Sequence, residues 1–171
     1  NCVSNGKLQR SGLFDNIWIQ PAAGDAGGAL GAALYINYNK LNGKRVVNSD
    51  DSMSGSLLGP KFTNKEIKKF LDNKKVSYKY YSNKKLFDVT ANHINDGNVI
   101  GWFQDRMEFG PRALGSRSIV GDARSSKMQS IMNLKIKFRE SFRPFAPIVL
   151  EEDKDKYFDL DVPSPYMLLV S

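Results

Sequence analysis

Apolar positions along the chain fall into short runs punctuated by glycine, serine and lysine, and their spacing predicts helices alternating with strands. Cys2, Val3, Leu8 and Leu13 recur at loosely helical intervals and predict a helix over residues 1–13. The run Asn16-Ile17-Trp18-Ile19-Gln20, ended by Pro21, has the form of a buried strand entering a loop. Residues 21–28 are small and predict a tight loop, after which Ala29 to Leu41 resumes a helical pattern that Gly43 is placed to end. Serine, glycine, aspartate and asparagine dominate from Val46 to Pro60, which is linker composition and puts a domain boundary near residue 60.

The second part opens with Thr63-Asn64-Lys65-Glu66, a capping-box pattern in which hydroxyl and carboxylate satisfy free N–H groups at a helix start. Ile67, Phe70 and Leu71 mark the apolar face of that helix. A strand over Val76–Tyr81, a helix over Leu86–Asn95 and a strand over Val99–Phe103 follow, with Gly97 between the last two, and this alternation predicts an α/β layer. Ser118–Val120 and Phe145–Leu150 have strand character and Ser125–Leu134 helical character. The apolar run Tyr166 to Val170 stands at the chain end, so its packing partner is expected outside the chain.

Composition narrows the class. With 171 residues, 41% of them hydrophobic and 25% charged, the chain is globular rather than a disordered tail. No apolar run approaches the roughly 20 residues that a membrane span needs, and no basic-apolar-small leader opens the chain, so a cytoplasmic protein is expected. Cys2 is the only cysteine, which excludes an intrachain disulfide and a cysteine-based zinc cluster; it is read as a small buried residue.

The net charge of +7 raises nucleic acid as a partner, and the placement of the cations decides its weight. Nine lysines and no arginines lie between Lys61 and Lys85, whereas six of the eight arginines lie between Arg106 and Arg143. Lysines on a helix face are commonly just solvated. Arginines among glycines, prolines and aromatics fit planar or phosphate anions instead.

Three stretches carry candidate chemistry. In the loop Gln20 to Ala29, small residues between a strand and a helix permit close backbone approach to a ligand; Asp25 reads as a helix cap or, alternatively, as one ligand of a metal. Between Gly101 and Ser118, arginines recur at spacings of six and five. Arg106 and Arg117 fit an internal network with Asp105, Glu108 and Asp122, and Arg112, in Gly110-Pro111-Arg112-Ala113-Leu114-Gly115, is the best anion binder. In the stretch Lys135 to Pro147, alternation places Lys135, Lys137 and Arg139 on one face of an extended segment and Ile136 and Phe138 on the other. An exposed basic edge strand is the plain reading, but Arg143-Pro144-Phe145-Ala146-Pro147 is too stiff and aromatic for that alone. Cations interleaved with aromatics also describe single-strand nucleic-acid binders. His93, the only histidine, lies in an ordinary helical segment and reads as a packed or surface residue.

Taken together, Asn1 to Leu8, Phe14 to Pro21, Gly24 to Gly31, Phe109 to Gly115 and Phe142 to Pro147 resemble, in order, the NodU/CmcH-type O-carbamoyltransferases. The resemblance implies the end of an actin/sugar-kinase/Hsp70-like transfer domain and linker over residues 1–60 and the first part of a YrdC-like α/β domain over 61–171. It implies ATP-dependent chemistry with Mg2+: carbamoyl phosphate and ATP give carbamoyl-adenylate and pyrophosphate, and the carbamoyl group passes to a hydroxyl-bearing small-molecule acceptor. Lys137, Arg143 and Arg112 would hold carbamoyl phosphate or the ATP phosphates, with Arg139 ranked behind them. Asp25 would be one ligand of an iron-like divalent metal, beside two histidines of an upstream segment that this chain lacks; the catalytic base is also expected upstream. The chain alone is therefore expected to be inactive, and a homo-oligomer is left open. The alternatives are a threonylcarbamoyl-adenylate-type tRNA modification enzyme, against which the Phe-Arg-Pro-Phe-Ala-Pro string speaks, and a non-catalytic nucleic-acid-binding module.

Overall fold

The computed structural model describes residues 1–171. The chain forms two compact units, one of residues 1–60, 106–114 and 149–171, the other of residues 61–105 and 115–148.

The first unit contains α1 (Cys2–Arg10) and α2 (Asp25–Asn39). The Asn1 side chain accepts the Ser4 N–H to cap α1, and Lys7 and Arg10 lie in its last turn, where cations favour the helix dipole. The tail of the chain lies along this helix. Asn5 Nδ2 donates to the Leu168 carbonyl at 2.9 Å and Arg10 Nη1 to that of Val170 at 2.8 Å. Gly6 is buried, and a Cβ there would stand 2.8 Å from Val170 O, so its lack of a side chain permits this contact. The run 166–170 thus has α1 as its neighbour, contrary to the expectation of a partner outside the chain. Cys2 is half-buried rather than buried.

Residues 16–20 form no strand, because no second strand pairs with their backbone. Helix α2 starts at Asp25, four residues earlier than its apolar pattern alone predicts; Gly24 is the N-cap and no side chain caps the helix, so Asp25 is a first-turn residue and not the cap. A 3-10 turn at Ser54–Ser56 follows further along, with Gly55 at φ +65°. The Tyr166 hydroxyl donates to the Asp51 carboxylate and accepts the Gly55 N–H at 3.0 Å, which ties this turn to the tail.

The second unit opens with α3 (Asn64–Asn73), where the predicted capping box is present: Thr63 Oγ1 accepts the Glu66 N–H at 3.2 Å, and Glu66 Oε2 accepts the Thr63 N–H at 2.7 Å. Helix α4 (Asn83–Asn95) ends at Gly97, whose φ of +81° lets the chain turn into β1 (Ile100–Phe103). Strand β1 pairs antiparallel with β2 (Arg117–Val120), Ile100 opposite Val120 and Phe103 opposite Arg117. Phe87 of α4 packs on Trp102 of β1 with ring centroids 6.4 Å apart. After β2, Gly121 admits the thioethers of Met128 and Met132, both of them buried. Met128 belongs to α5 (Met128–Ile131), which widens without a break into a π-helical turn over Met132–Ile136.

Two further expected strands are not formed. Residues 76–81 and 145–150 carry strand-forming side chains but find no ladder partner, so the sheet is a single two-stranded hairpin. The fold is nonetheless a mixture of helix and strand, as the alternation predicts. A final helix, α6 (Lys154–Tyr157), belongs to the first unit. No helix is long and apolar enough to cross a membrane.

Candidate functional site

The cation-rich stretch of the second unit is not an extended ladder. The π turn draws Lys135 and Ile136 into a helix end, Lys137 N–H donates to Met132 O at 2.9 Å, and Phe138 turns left-handed at φ +48°. A cationic row on one face, expected from the alternation of Lys135, Lys137 and Arg139, therefore does not exist. Met128 and Met132 supply the reason: their helical spacing buries one face under Gly121 and carries the helix onward.

What forms instead is a loop folded around Asn133. This side chain is fully buried; its Oδ1 accepts Arg139 Nε–H at 2.6 Å, and its Nδ2 donates to Ser141 O at 3.1 Å and Arg143 O at 2.7 Å. Gln129 adds bonds to Phe142 O at 3.2 Å and Arg143 O at 3.1 Å. The Arg139 guanidinium stacks 4.9 Å above the Phe145 ring, a cation–π contact that sets its plane. Arg143 Nε donates to Glu140 Oε2 at 2.9 Å; the Glu140 carboxyl is held below its ordinary range by its own backbone N–H first and by Arg143 second. Lys137 is exposed. The loop thus carries three cations, one of them, Arg139, with its planar head held at both edge and face.

The arginines on either side have other partners. Arg106 Nη1 donates to Gly59 O at 2.6 Å, so it serves a carbonyl rather than an acid. Asp105 pairs with Lys61 and Asp122 with Arg124, and each cation holds the aspartate below its ordinary range.

The other two stretches meet in the first unit. Gly27 N–H closes on Ala22 O at 2.7 Å and Gly28 N–H on Gly24 O at 2.9 Å, forming the tight loop ahead of α2. Gly110, at φ +99°, comes so close to this loop that a Cβ would stand 2.5 Å from Ala22 Cβ. Beside it, buried Glu108 accepts the Leu114 N–H at 2.7 Å and so bridges the turn that presents exposed Arg112. Asp25 is exposed on the first turn of α2. No group of three histidine, cysteine, aspartate or glutamate side chains able to hold a metal occurs. Asp25 therefore offers one carboxylate, and this chain's residues do not by themselves fit a metal centre. Of the four predicted anion binders, Lys137, Arg139 and Arg143 share one loop, while Arg112 lies with Asp25 in the other unit.

Two family models match the sequence: carbamoyltransferase N-terminus over residues 1–34 and carbamoyltransferase C-terminus over residues 91–171. The chain belongs to the carbamoyltransferase family. The Synechocystis protein sll1178 is 61% identical over 173 residues, covering all of this chain and 28% of the relative. Nodulation protein NolO of Bradyrhizobium diazoefficiens is 42% identical over 161 residues, covering 94% of this chain and 29% of NolO. The 3'-hydroxymethylcephem-O-carbamoyltransferase of Streptomyces clavuligerus is 29% identical over 178 residues, covering 98% of this chain and 30% of that enzyme. This carbamoyltransferase chain thus spans less than a third of the length of these relatives.

The loop around Asn133 lies within the C-terminal carbamoyltransferase match. Sequence reading named the cations of that loop but neither amide that shapes it. The available signal was weak: Asn133 is a poor helix former placed one residue after a core methionine, immediately before the cationic stretch.

Proposed function

We propose that the protein carrying this chain is an ATP-dependent O-carbamoyltransferase, and that the loop of residues 133–145 holds its carbamoyl phosphate. The observation that carries this reading is the placing of Arg139 and Arg143 together on a loop shaped by the buried amide of Asn133, inside the C-terminal family match. An acyl phosphate is a small dianion, and planar arginine heads bind such oxygens through paired N–H donors.

In the proposed reaction, carbamoyl phosphate loses its phosphoryl group to water as inorganic phosphate. The carbamate oxygen attacks the ATP α-phosphorus, and pyrophosphate leaves to give carbamoyl-adenylate. The acceptor hydroxyl oxygen then bonds to the carbamoyl carbon and AMP departs, the hydroxyl proton going to a base that this chain does not supply. Mg2+ would screen the ATP phosphates. Lys137, Arg139 and Arg143 neutralise charge as it moves between phosphate oxygens. Arg139 ranks higher here than by sequence, because Asn133 and Phe145 fix its orientation. The actin/Hsp70-like and YrdC-like assignments and the 1–60 and 61–171 division belong to this proposal, as do a cytoplasmic location and a metal-ligand role for Asp25. No step is routed through that metal.

The test is carbamoyl-phosphate-dependent exchange of labelled pyrophosphate into ATP by the full-length protein, with Lys137→Ala, Arg139→Ala and Arg143→Ala compared. Exchange that falls in the variants supports the reaction and the site. Exchange that survives all three moves the site elsewhere, and no exchange from the intact folded protein removes the adenylate chemistry. Salt-sensitive single-strand binding without exchange would identify a nucleic-acid module.

A further inference from the structure

We infer that Asn133 is a positioning residue that sets Arg139 and the Ser141–Arg143 turn for anion binding, and that it must be a neutral amide. This rests on reading the loop as the carbamoyl phosphate site.

The geometry admits one orientation of the amide. Its oxygen faces a donor, Arg139 Nε–H, and its nitrogen faces two acceptors, Ser141 O and Arg143 O. The reverse orientation would set N–H against N–H and oxygen against two carbonyl oxygens. No other side chain of this size does the same work. Leucine would leave an arginine donor and a buried carbonyl without this partner. Aspartate would keep the bond to Arg139 but repel both carbonyls, and its charge would cancel that of the guanidinium. Arginine heads held inside proteins are usually held by carboxylates, which lowers their pull on an added anion. Here Asn133 engages the Nε edge and the Phe145 ring engages the face, 4.9 Å away, without adding negative charge. The terminal Nη donors of Arg139 are then fixed in direction for a phosphate-class ligand, and the carboxylate that feels the Arg139 charge, Glu140, is hydrogen-bonded to Arg143 instead.

The π turn is part of the device. A regular α-helix would carry the chain past residue 136 on a narrower course, whereas here Lys137 N–H reaches back to Met132 O at 2.9 Å and Arg139 N–H to Asn133 O at 3.0 Å. The backbone thus wraps around the Asn133 side chain and returns Arg139 to it. Gln129, one turn earlier, holds the far end of the loop through Phe142 O and Arg143 O.

The experiment uses the full-length protein with Asn133→Ala, the milder Asn133→Ser, Arg139→Ala and the double variant Asn133→Ala/Arg139→Ala, each checked for folding by thermal denaturation. Loss of orientation is expected to raise the KM for carbamoyl phosphate on the order of ten- to a hundredfold with a smaller change for ATP, as a misplaced binding group does. Arg139→Ala is expected to add little on top of Asn133→Ala, since both remove one device. Inorganic phosphate binding by calorimetry should fall in parallel. In the unsubstituted protein, the Arg139 Nε–H resonance, assigned by its loss in Arg139→Lys, should be protected from solvent exchange. Additive effects in the double variant, an unchanged KM in a folded Asn133 variant, or a fast-exchanging Arg139 Nε–H would each overturn the inference. If pyrophosphate exchange is absent from the unsubstituted protein, the proposed reaction fails. Phosphate binding and the Nε–H signal then still decide the role of Asn133.

Discussion

Gly110 meets Ala22 so closely that a Cβ on Gly110 would lie 2.5 Å from the Ala22 Cβ, which welds the Gly-Pro-Arg turn to the loop before α2. Gly110 also holds φ +99°, a region that side-chain-bearing residues rarely adopt. Clash and backbone strain together should make Gly110→Ala destabilising by about 2–4 kcal/mol, read as a lower urea midpoint. Ala22 itself sits at φ +53°. Adding Ala22→Gly removes the clash but not the Gly110 strain, so the double variant should recover part of the loss. Full stability in Gly110→Ala would show that the two loops do not pack this way.

Ser56 offers the opposite sign. Its hydroxyl is buried without a hydrogen-bond partner, while its carbonyl accepts the Phe109 N–H at 2.5 Å. A buried polar group left unpaired costs stability and its removal recovers it, so Ser56→Ala should raise stability by about 1 kcal/mol. The backbone there has φ +64°, which Ala bears no better than Ser, so the change isolates the hydroxyl. A drop in melting temperature for Ser56→Ala would mean that the hydroxyl has a partner in solution.

The tie between Tyr166 and Asp51 should make the tail acid-sensitive. The Asp51 carboxyl is lowered by the Tyr166 hydroxyl first and then by the Gly55 N–H, against a small opposing effect of burial. A carboxyl with a lower folded than unfolded pKa adds stability above its unfolded value, near 3.8, and loses it as pH falls through the folded value. Tyr166, raised chiefly by burial and next by Asp51, adds stability below its unfolded value, near 10, and loses it as pH rises through the folded one. Replacing Tyr166 with Phe should remove the alkaline dependence, weaken the acid one to what the Gly55 and Met53 N–H groups maintain, and cost about 1 kcal/mol near neutrality. Hydrogen exchange of Gly55 N–H, faster in that variant, locates the effect; an unchanged acid limb would contradict it.

Legibility in the sequence followed the range of the forces involved. Helices α1, α3 and α4 and the β1 strand are readable because their signals are local: the Thr63–Glu66 box, helical spacing, and Gly97 as a terminator. Residues 16–20, 76–81 and 145–150 have equally good strand composition, but a strand exists only with a neighbour, and composition does not reveal whether one is available. Alternation from Lys135 to Arg139 was misleading because the core contacts of Met128 and Met132 outweigh a short period-two pattern. The candidate cations were legible by type; the amide that orients them was not, since buried Asn133 carries no charge and stands outside any motif.

Glu140 is expected to restrain the site it borders. Its carboxylate takes one Arg143 N–H at 2.9 Å, with both side chains about half exposed, so the pair is of the weak, solvent-screened kind. Substituting Glu140 by Gln removes one negative charge that Arg143 and Arg139 both feel and frees Arg143 for a ligand, at little expense to the fold. Phosphate binding should then tighten roughly two- to fivefold, the range that a half-exposed ion pair accounts for. The gain should shrink as salt is raised, because the added attraction is screened over a Debye length of about 10 Å at 0.1 M. It should also vanish in the Arg143→Ala background, where the freed cation is absent. Calorimetric titration of the full-length protein with inorganic phosphate at two salt concentrations reads all three effects. Unchanged or weaker binding in Glu140→Gln would show that Arg143 does not face the anion, and would leave Arg139 and Lys137 as the cations of the loop.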